Sequence, residues 1–436
     1  FRGDGGSWEL AIDRRERRLE ALNTSENSLA DDRPRAERAA SDGADTEAPA
    51  AAEPDFETTV ASKGATPADS AVNEVTAGEF QMEARVSLPK HDLPRLAAIA
   101  EELPAGRWHE LPGDPKEVFI SRAEALRISE GDEAARDRLW GWGGPKEIFD
   151  AWTSAAFDGR RLYVFGGGHH HYRGNDILVY DLKRLEWQRL YDPSYVTTRT
   201  HTGSRRYVPR HGPRAVHTYD GLTYSPLTNA IYLWGARSLY PWKFDIALFE
   251  RIGDPWKAWQ PLDWPEGITP DQHKATLRPD GKIIIMGGTG RTWKAVFDPE
   301  AERYESIGRA VSPTSVMRWR DADDSLYVVK TDHISRYDAS GERVEKEVTE
   351  FPEAYKGTPK QSGMAYDAGR DRFVFWPGGR EVWVWEPNGN RWIQHANLDG
   401  PAPGSKAARV YGKWVYMPDL DIFLCMRDAE SSVWTY

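Results

Sequence analysis

A short apolar strand that ends in glycine returns along most of the chain and limits what it can fold into. It reads "RLYVFGGG" at 161–168, "AIYLWGA" at 230–236, "KIIIMGG" at 282–288 and "RFVFWPGG" at 372–379, with "SLYVVK" at 325–330 as a glycine-free version. Four of these are followed by a pair of short strand-like runs broken by a turn. They are "DILVYDLKRLEWQRL" (176–190), "KAVFDPEAERYESI" (294–307), "ISRYDASGERVEKEV" (334–348) and "VWVWEPNGNRWIQH" (382–395). The spacing is about 50 residues, too short for a domain and right for one small sheet per repeat. Such a unit cannot bury its apolar faces alone, so the units must stack on one another.

A di-glycine after the second strand and paired aromatics beyond it resemble the kelch repeat, which implies an all-β, kelch-type β-propeller of four-stranded blades. The last unit, "ARVYGKWVYMPDLDIFLCMRDAESSVWTY" (408–436), supplies three strands, and "RWHELP" (107–112) can supply the fourth and close the ring. Direct counting gives six blades, and the irregular stretch 191–270 leaves room for a seventh. Trp187, Tyr304, Trp385 and Trp392 recur at fixed places and read as packing between blades. Residues 115–145, with "KEVFISRAEALRI", read as a helical insertion.

Residues 1–105 are of another kind. They hold 22 Asp and Glu against 12 Lys and Arg, a net of −10 out of −11 for the whole chain, so the acidity says nothing about what the repeats bind. The stretch 25–80 is rich in Ala, Asp, Glu, Ser and Pro and almost free of aromatics, and it is predicted to be disordered. "DRRERRLEAL" (13–22) reads as a short charged helix. The division is therefore a mostly disordered acidic tail over 1–105 and a propeller over 106–436. No window approaches the roughly 18–20 apolar residues of a membrane helix. The chain starts at Phe1 without a cationic-then-apolar signal pattern and reads as a fragment or processed product. The single Cys425 excludes an intramolecular disulfide and any cysteine metal cage within one chain.

Propeller topology sorts the polar residues. Strands alternate in direction, so the loop between strands two and three opens on the same face as the lead-in to strand one. The loops carry His169, His170, His171 and Tyr172 in the first blade, then Arg237, Arg291, His333 and Arg380. The lead-ins carry Asp150 and Trp152, His217 and Tyr219, Gln272, His273 and Lys274, Lys360 and Gln361, and Lys406. One mouth of the funnel is thus rich in Arg, Lys, His and Tyr, which suits an anionic ligand because a cleft focuses the field of its lining. The His triplet in "FGGGHHHYRGND" (165–176) is poorly placed for a metal, since consecutive residues on an extended segment point to opposite sides. No metal or cofactor is expected. Gly174-Asn175 reads as the turn back into strand three.

Residues 151–194, with the loop pattern GGGH-x-x-Y-x-GN, and "RAVHTYDGLTYSP" (214–226) resemble a group of bacterial kelch-type proteins and are similar to the β-propeller ulvan lyases. These are polysaccharide lyases of a sulfated uronate polymer. The resemblance implies a substrate-facing histidine at His169 or His171, a catalytic tyrosine at Tyr219, and an arginine at Arg237. It departs at Trp152, which stands where those lyases use a further histidine. The chemistry is self-consistent. A uronate lyase must neutralise the carboxylate, remove the C5 proton and protonate the departing C4 oxygen. Arg237 can clamp a carboxylate bidentately, and Tyr219 beside a cation can serve as base, with His217 orienting it. Trp152, Trp242 and Trp293 offer stacking faces for sugar rings; His273, Tyr172, Asn175 and Arg291 complete the expected substrate contacts.

The expected partner is an acidic polysaccharide, acted on outside the cytoplasm in a secreted or periplasmic setting. The alternative is a non-catalytic propeller that binds an acidic glycan or a protein through the same funnel. A copper radical oxidase is excluded by the place of Cys425, far along in the last blade. Nucleic acid is excluded by the near-neutral charge of the repeats.

Overall fold

The computed structural model describes residues 86–436 apart from 169–170, 202–203, 236–239, 266–272, 288–292, 310–315, 397–398 and 405–408. The readings at residues 13–22 and 25–80 lie outside the described residues. The strands within them form six four-stranded sheets and one two-stranded ribbon. Blade 1 runs outward through Ser154–Phe157, Arg161–Phe165, Leu178–Asp181 and Glu186–Arg189. The innermost strands of blades 2 to 5 are Leu222–Ser225, Lys274–Leu277, Met317–Arg320 and Gly363–Asp367. Blade 6 consists of Trp414–Met417, Ile422–Met426, Val433–Thr435 and, as outer strand, His109–Glu110.

The innermost strands touch one another in chain order, and the segment leading into the sixth touches the first, so the ring is closed. Closure is by the strand expected at 107–112. His109 pairs with Thr435 and Glu110 with Trp434. Trp108, ahead of that strand, packs against Trp376, Trp414 and Tyr436 at ring distances of 5.7, 6.0 and 4.8 Å. Its indole N–H donates to the Arg380 carbonyl at 3.0 Å. The room for a seventh blade at 191–270 is otherwise filled. Among the described residues it holds blade 2, the ribbon Val196–His201 with Ser204–Pro209, and two short helices, Ile246–Ile252 and Pro255–Ala258. The helices replace the tight turn between the third and fourth strands of blade 2.

The repeat is also visible in the backbone. The turn between the first two strands of each blade needs one residue with left-handed φ. Gly159, Asn229, Gly281, Asp324, Asp371 and Asp421 fill it in turn, with φ between 44 and 93°. Gly, Asn and Asp tolerate this region best, which is why the six sequences look unlike one another yet fold alike. A tyrosine near the end of the inner strand bonds back to that residue in three blades: Tyr224 to Asn229, Tyr366 to Asp371 and Tyr416 to Asp421, at 2.9–3.1 Å. The same face carries latches between blades. Arg320, nearly fully buried, forks onto Asp371 at 2.8 and 2.5 Å, and Arg370 does so onto Asp421.

Large side chains fill the space between blades. Tyr163, Phe165 and Val179 of blade 1 pack against Tyr224, Ile231, Leu233 and Phe244 of blade 2. Trp385 stacks on Phe373 at 5.6 Å and on Trp392 at 6.0 Å. Each buried aromatic or branched side chain is worth roughly 1.5–3 kcal/mol. Residues 86–105, read with the tail, include the helix Pro94–Glu102, whose Leu96 is fully buried in the core of blade 1. The insertion is helical as expected, with helices Arg122–Ile128, Glu133–Trp140 and Glu147–Asp150. No described helix is long and apolar enough to cross a membrane.

Candidate functional site

Three consecutive blades around the ring lead into their innermost strands through a bulky residue in left-handed backbone. These are Tyr411 in blade 6, Trp152 in blade 1 and Tyr219 in blade 2, with φ of 50, 52 and 47°, and Arg409 joins them at 73°. Left-handed φ is unfavourable for large side chains and costs of order 1–3 kcal/mol each, so surroundings must hold it. They do. The Tyr219 N–H donates to the Trp152 carbonyl at 2.8 Å, and the Ser154 N–H to the Thr218 hydroxyl at 2.7 Å. Lys413, also buried, donates to the Phe149 carbonyl at 2.7 Å. Four such residues at one place make this mouth the candidate site.

Their side chains meet. The Tyr219 hydroxyl lies 3.4 Å from His217 Nδ1. Trp152 lies 4.8 Å from the His217 ring, and Tyr411 lies 5.8 Å from the Tyr219 ring. The Arg409 guanidinium sits 3.4 Å over Trp152. The Lys274 ammonium sits 4.0 Å over Tyr219 and 5.6 Å over Tyr411. A cation held over an aromatic face in this way is attracted by the ring's quadrupole, the more so when it is desolvated.

The opening loop belongs to this wall. Gly168 (φ 68°) bonds to the Val216 carbonyl and lies between two imidazoles. A β-carbon there would come within 2.7 Å of His217 Nε2 and 3.0 Å of His171 Nδ1, so only glycine lets the rings approach to 6.4 Å. Glu147, half-buried behind His171, has its carboxyl pushed up by burial, against the pull of His171, Lys146 and Arg409.

The structure thus gathers Trp152, His171, His217 and Tyr219. His169, Arg237 and Arg291 lie outside the described residues. Tyr172 and Asn175 need correction as substrate contacts. Tyr172 is fully buried and donates to Asp176 at 2.8 Å. Asn175 is fully buried too; it donates to the His211 and Pro213 carbonyls and accepts from the Ser194 N–H, clamping the loop 191–213. The turn signature was real, and its side chains serve the turn. His273 and Trp293 need the same correction. His273 is fully buried between Trp264 at 4.7 Å and Trp293 at 5.0 Å, and Trp293 is buried with it. Trp242 lies in the sheet of blade 2, edge-on to Trp259 at 6.3 Å. Tyr219 stands in the lead-in to Leu222–Ser225, on a left-handed kink.

Arg409 and Tyr411 were missed. In the run "ARVYGK" ahead of the inner strand of blade 6 the left-handed φ falls on Arg409 and Tyr411 rather than on the neighbouring Gly412, so the sequence does not mark where the backbone reverses. Among the described residues no group of three or more His, Cys, Asp or Glu is placed to hold a metal ion.

The channel holds a cavity of about 350 Å³ that runs along the inner strands from Asp220 and Gly412, next to Tyr219 and Tyr411. Its walls run from the buried ion pair Asp220–Arg318 (2.7 Å) to Arg278, Pro279 and Asp321 in the turns after the inner strands, with Val86 and Leu88 against it. The strained aromatics precede those strands, so the site stands at one end of this cavity and the turns at the other.

No protein-family model and no curated protein matches the chain. Among solved structures it is similar to an auxiliary nutrient binding protein from Bacteroides thetaiotaomicron, at 12% identity and TM-score 0.42 over 68% of this chain and 69% of that one. It is also similar to a gluconolactonase from Xanthomonas campestris, at 13% identity and TM-score 0.43 over 76% of this chain and 97% of that one. A third is the β-propeller domain of Cps50 from Myceliophteria thermophila, at 12% identity and TM-score 0.38 over 65% and 95%. The propeller itself is read from the six sheets.

Proposed function

We propose that this kelch-like propeller is a polysaccharide lyase that cleaves a uronate-containing chain by β-elimination at the mouth bounded by Trp152, His171, His217, Tyr219 and Tyr411. The observation that carries the reading is the Tyr219 hydroxyl 3.4 Å from His217 Nδ1 with the Lys274 ammonium over its ring. Tyr219 passes its hydroxyl proton to Nδ1 of neutral His217 and, as the phenolate that the Lys274 ammonium favours, takes the C5 proton. The electron pair left at C5 forms the C4–C5 double bond as the C4–O bond breaks, and the departing oxygen takes a proton from His171. Arg409 and Lys274 supply positive charge for the substrate carboxylate, whose neutralisation makes the C5 proton more acidic. Arg237 keeps its expected part as a clamp.

The test is ultraviolet absorbance of the new double bond, followed with purified protein on ulvan, alginate and glucuronan. Growing absorbance that Tyr219→Phe abolishes supports the lyase. A flat trace across the panel, at several pH values and with and without divalent metal, assigns the funnel to binding alone.

A further inference from the structure

The helix Glu133–Trp140 ends in Gly141, and the chain then presents Trp142 between glycines before the short helix Glu147–Asp150. We propose that Trp142 is a sugar-stacking platform that extends the site beyond the funnel and takes a pyranose ring of a bound polysaccharide. This rests on the glycan reading above but does not need cleavage.

Trp142 is 78% exposed, whereas the other large hydrophobics left exposed among the described residues are aliphatic. Single exposed aliphatics need no explanation, but a tryptophan buries more apolar area than any of them and is seldom left in water. Its position is what matters. The indole meets the His171 ring edge-on at 5.8 Å, at the rim of the candidate site. Trp140, two residues earlier, is packed under the Arg122 guanidinium at 4.6 Å and serves the scaffold.

The turn is built to fix the indole. The Gly143 and Gly144 N–H groups both donate to the His171 carbonyl, at 2.9 and 3.2 Å. A β-carbon on Gly143 would lie 2.2 Å from Glu147 Oε1, and one on Gly144 2.8 Å from the Trp140 ring. Gly141 closes the helix with φ of 66°. The backbone that carries Trp142 is therefore held against His171, and an aromatic platform on a fixed backbone loses less entropy when a ring settles on it. Pyranose C–H faces match such a surface, and the chain would run from the platform past His171 to Tyr219.

The experiment is binding of polymers and of short oligosaccharides to the whole protein, for wild type, Trp142→Ala and Trp142→Phe, with neutral glucans beside the acidic panel. Polymer affinity is expected to fall roughly three- to tenfold in the alanine variant. The phenylalanine variant should recover most of it, and oligosaccharides too short to span both places should bind unchanged. Wild-type polymer affinity in Trp142→Ala overturns the platform and leaves the lyase reading intact. A Trp142-dependent grip on neutral glucans alone keeps the platform and overturns the uronate reading. A wild-type protein that binds no polymer of either kind overturns both.

Discussion

Lys274 holds its ammonium 4.0 Å from the centre of the Tyr219 ring, where the cation reads the aromatic face and leaves the hydroxyl to His217. Ring and hydroxyl thus have separate tasks, and they can be separated by substitution.

Tyr219→Phe keeps the face under Lys274 and removes only the oxygen. Folding should be unchanged by circular dichroism and thermal unfolding, while turnover on the best polysaccharide falls by about 10²–10⁴, the usual contribution of a general acid or base. A variant that turns over at more than about a tenth of the wild-type rate would remove Tyr219 from the chemistry.

Arg409 carries a charge over Trp152 and reaches the mouth, with Tyr411, from the lead-in to blade 6. Arg409→Ala should raise KM about tenfold and flatten the salt dependence of binding, because one screened attraction is gone. Arg409→Lys should not restore it, since an ammonium cannot reproduce the planar stack. Full recovery by lysine would mean that the guanidinium plane is irrelevant.

Asp176 gives a pH signature. It is fully buried, and burial pushes its carboxyl up to about 6, above the ordinary aspartate value that the unfolded chain would show. The native state therefore binds more protons between about 4 and 6. This group adds stability as pH falls through that window and costs it above, by up to about 3 kcal/mol. Asp176→Asn should be more stable than wild type in urea at pH near 7.5 and lose the advantage near pH 4. Glu124 works the other way: held at about 2 by the Ser121 N–H and by Arg189, it loses its contribution as pH drops from about 4.5.

Trp108 ties the ring shut. Trp108→Ala removes a buried indole and should cost about 3–5 kcal/mol, read as a lower unfolding midpoint in urea. A loss below about 1 kcal/mol would show that closure rests on the backbone pairs of His109 and Glu110 alone.

The blades were legible because burial imposes the same period on each: strand, a turn on glycine, asparagine or aspartate, then strand. Even the closing strand at His109 could be placed, since a three-stranded last unit leaves an edge to fill. The site was legible where topology alone decides, as for His171 beside His217 and Tyr219. It was not where the backbone reverses. Alternation along "HTY" sets His217 and Tyr219 on one face of a strand, but the left-handed kink at Tyr219 turns its ring toward blade 6 and Tyr411. Nor does polarity reveal commitment: Asn175 looks like a ligand and spends its hydrogen bonds on a loop.

The closing pair also sets an order in time. His109–Glu110 is made some 320 residues before its partner Val433–Thr435, as the Ser432 contacts with Glu110 and Pro112 record. Until then the first-made strand has no sheet to join, and blades 1 to 5 can stack only as an open arc whose two end blades each show an apolar face. A cell making this protein must keep those faces apart from other chains until the last blade is made.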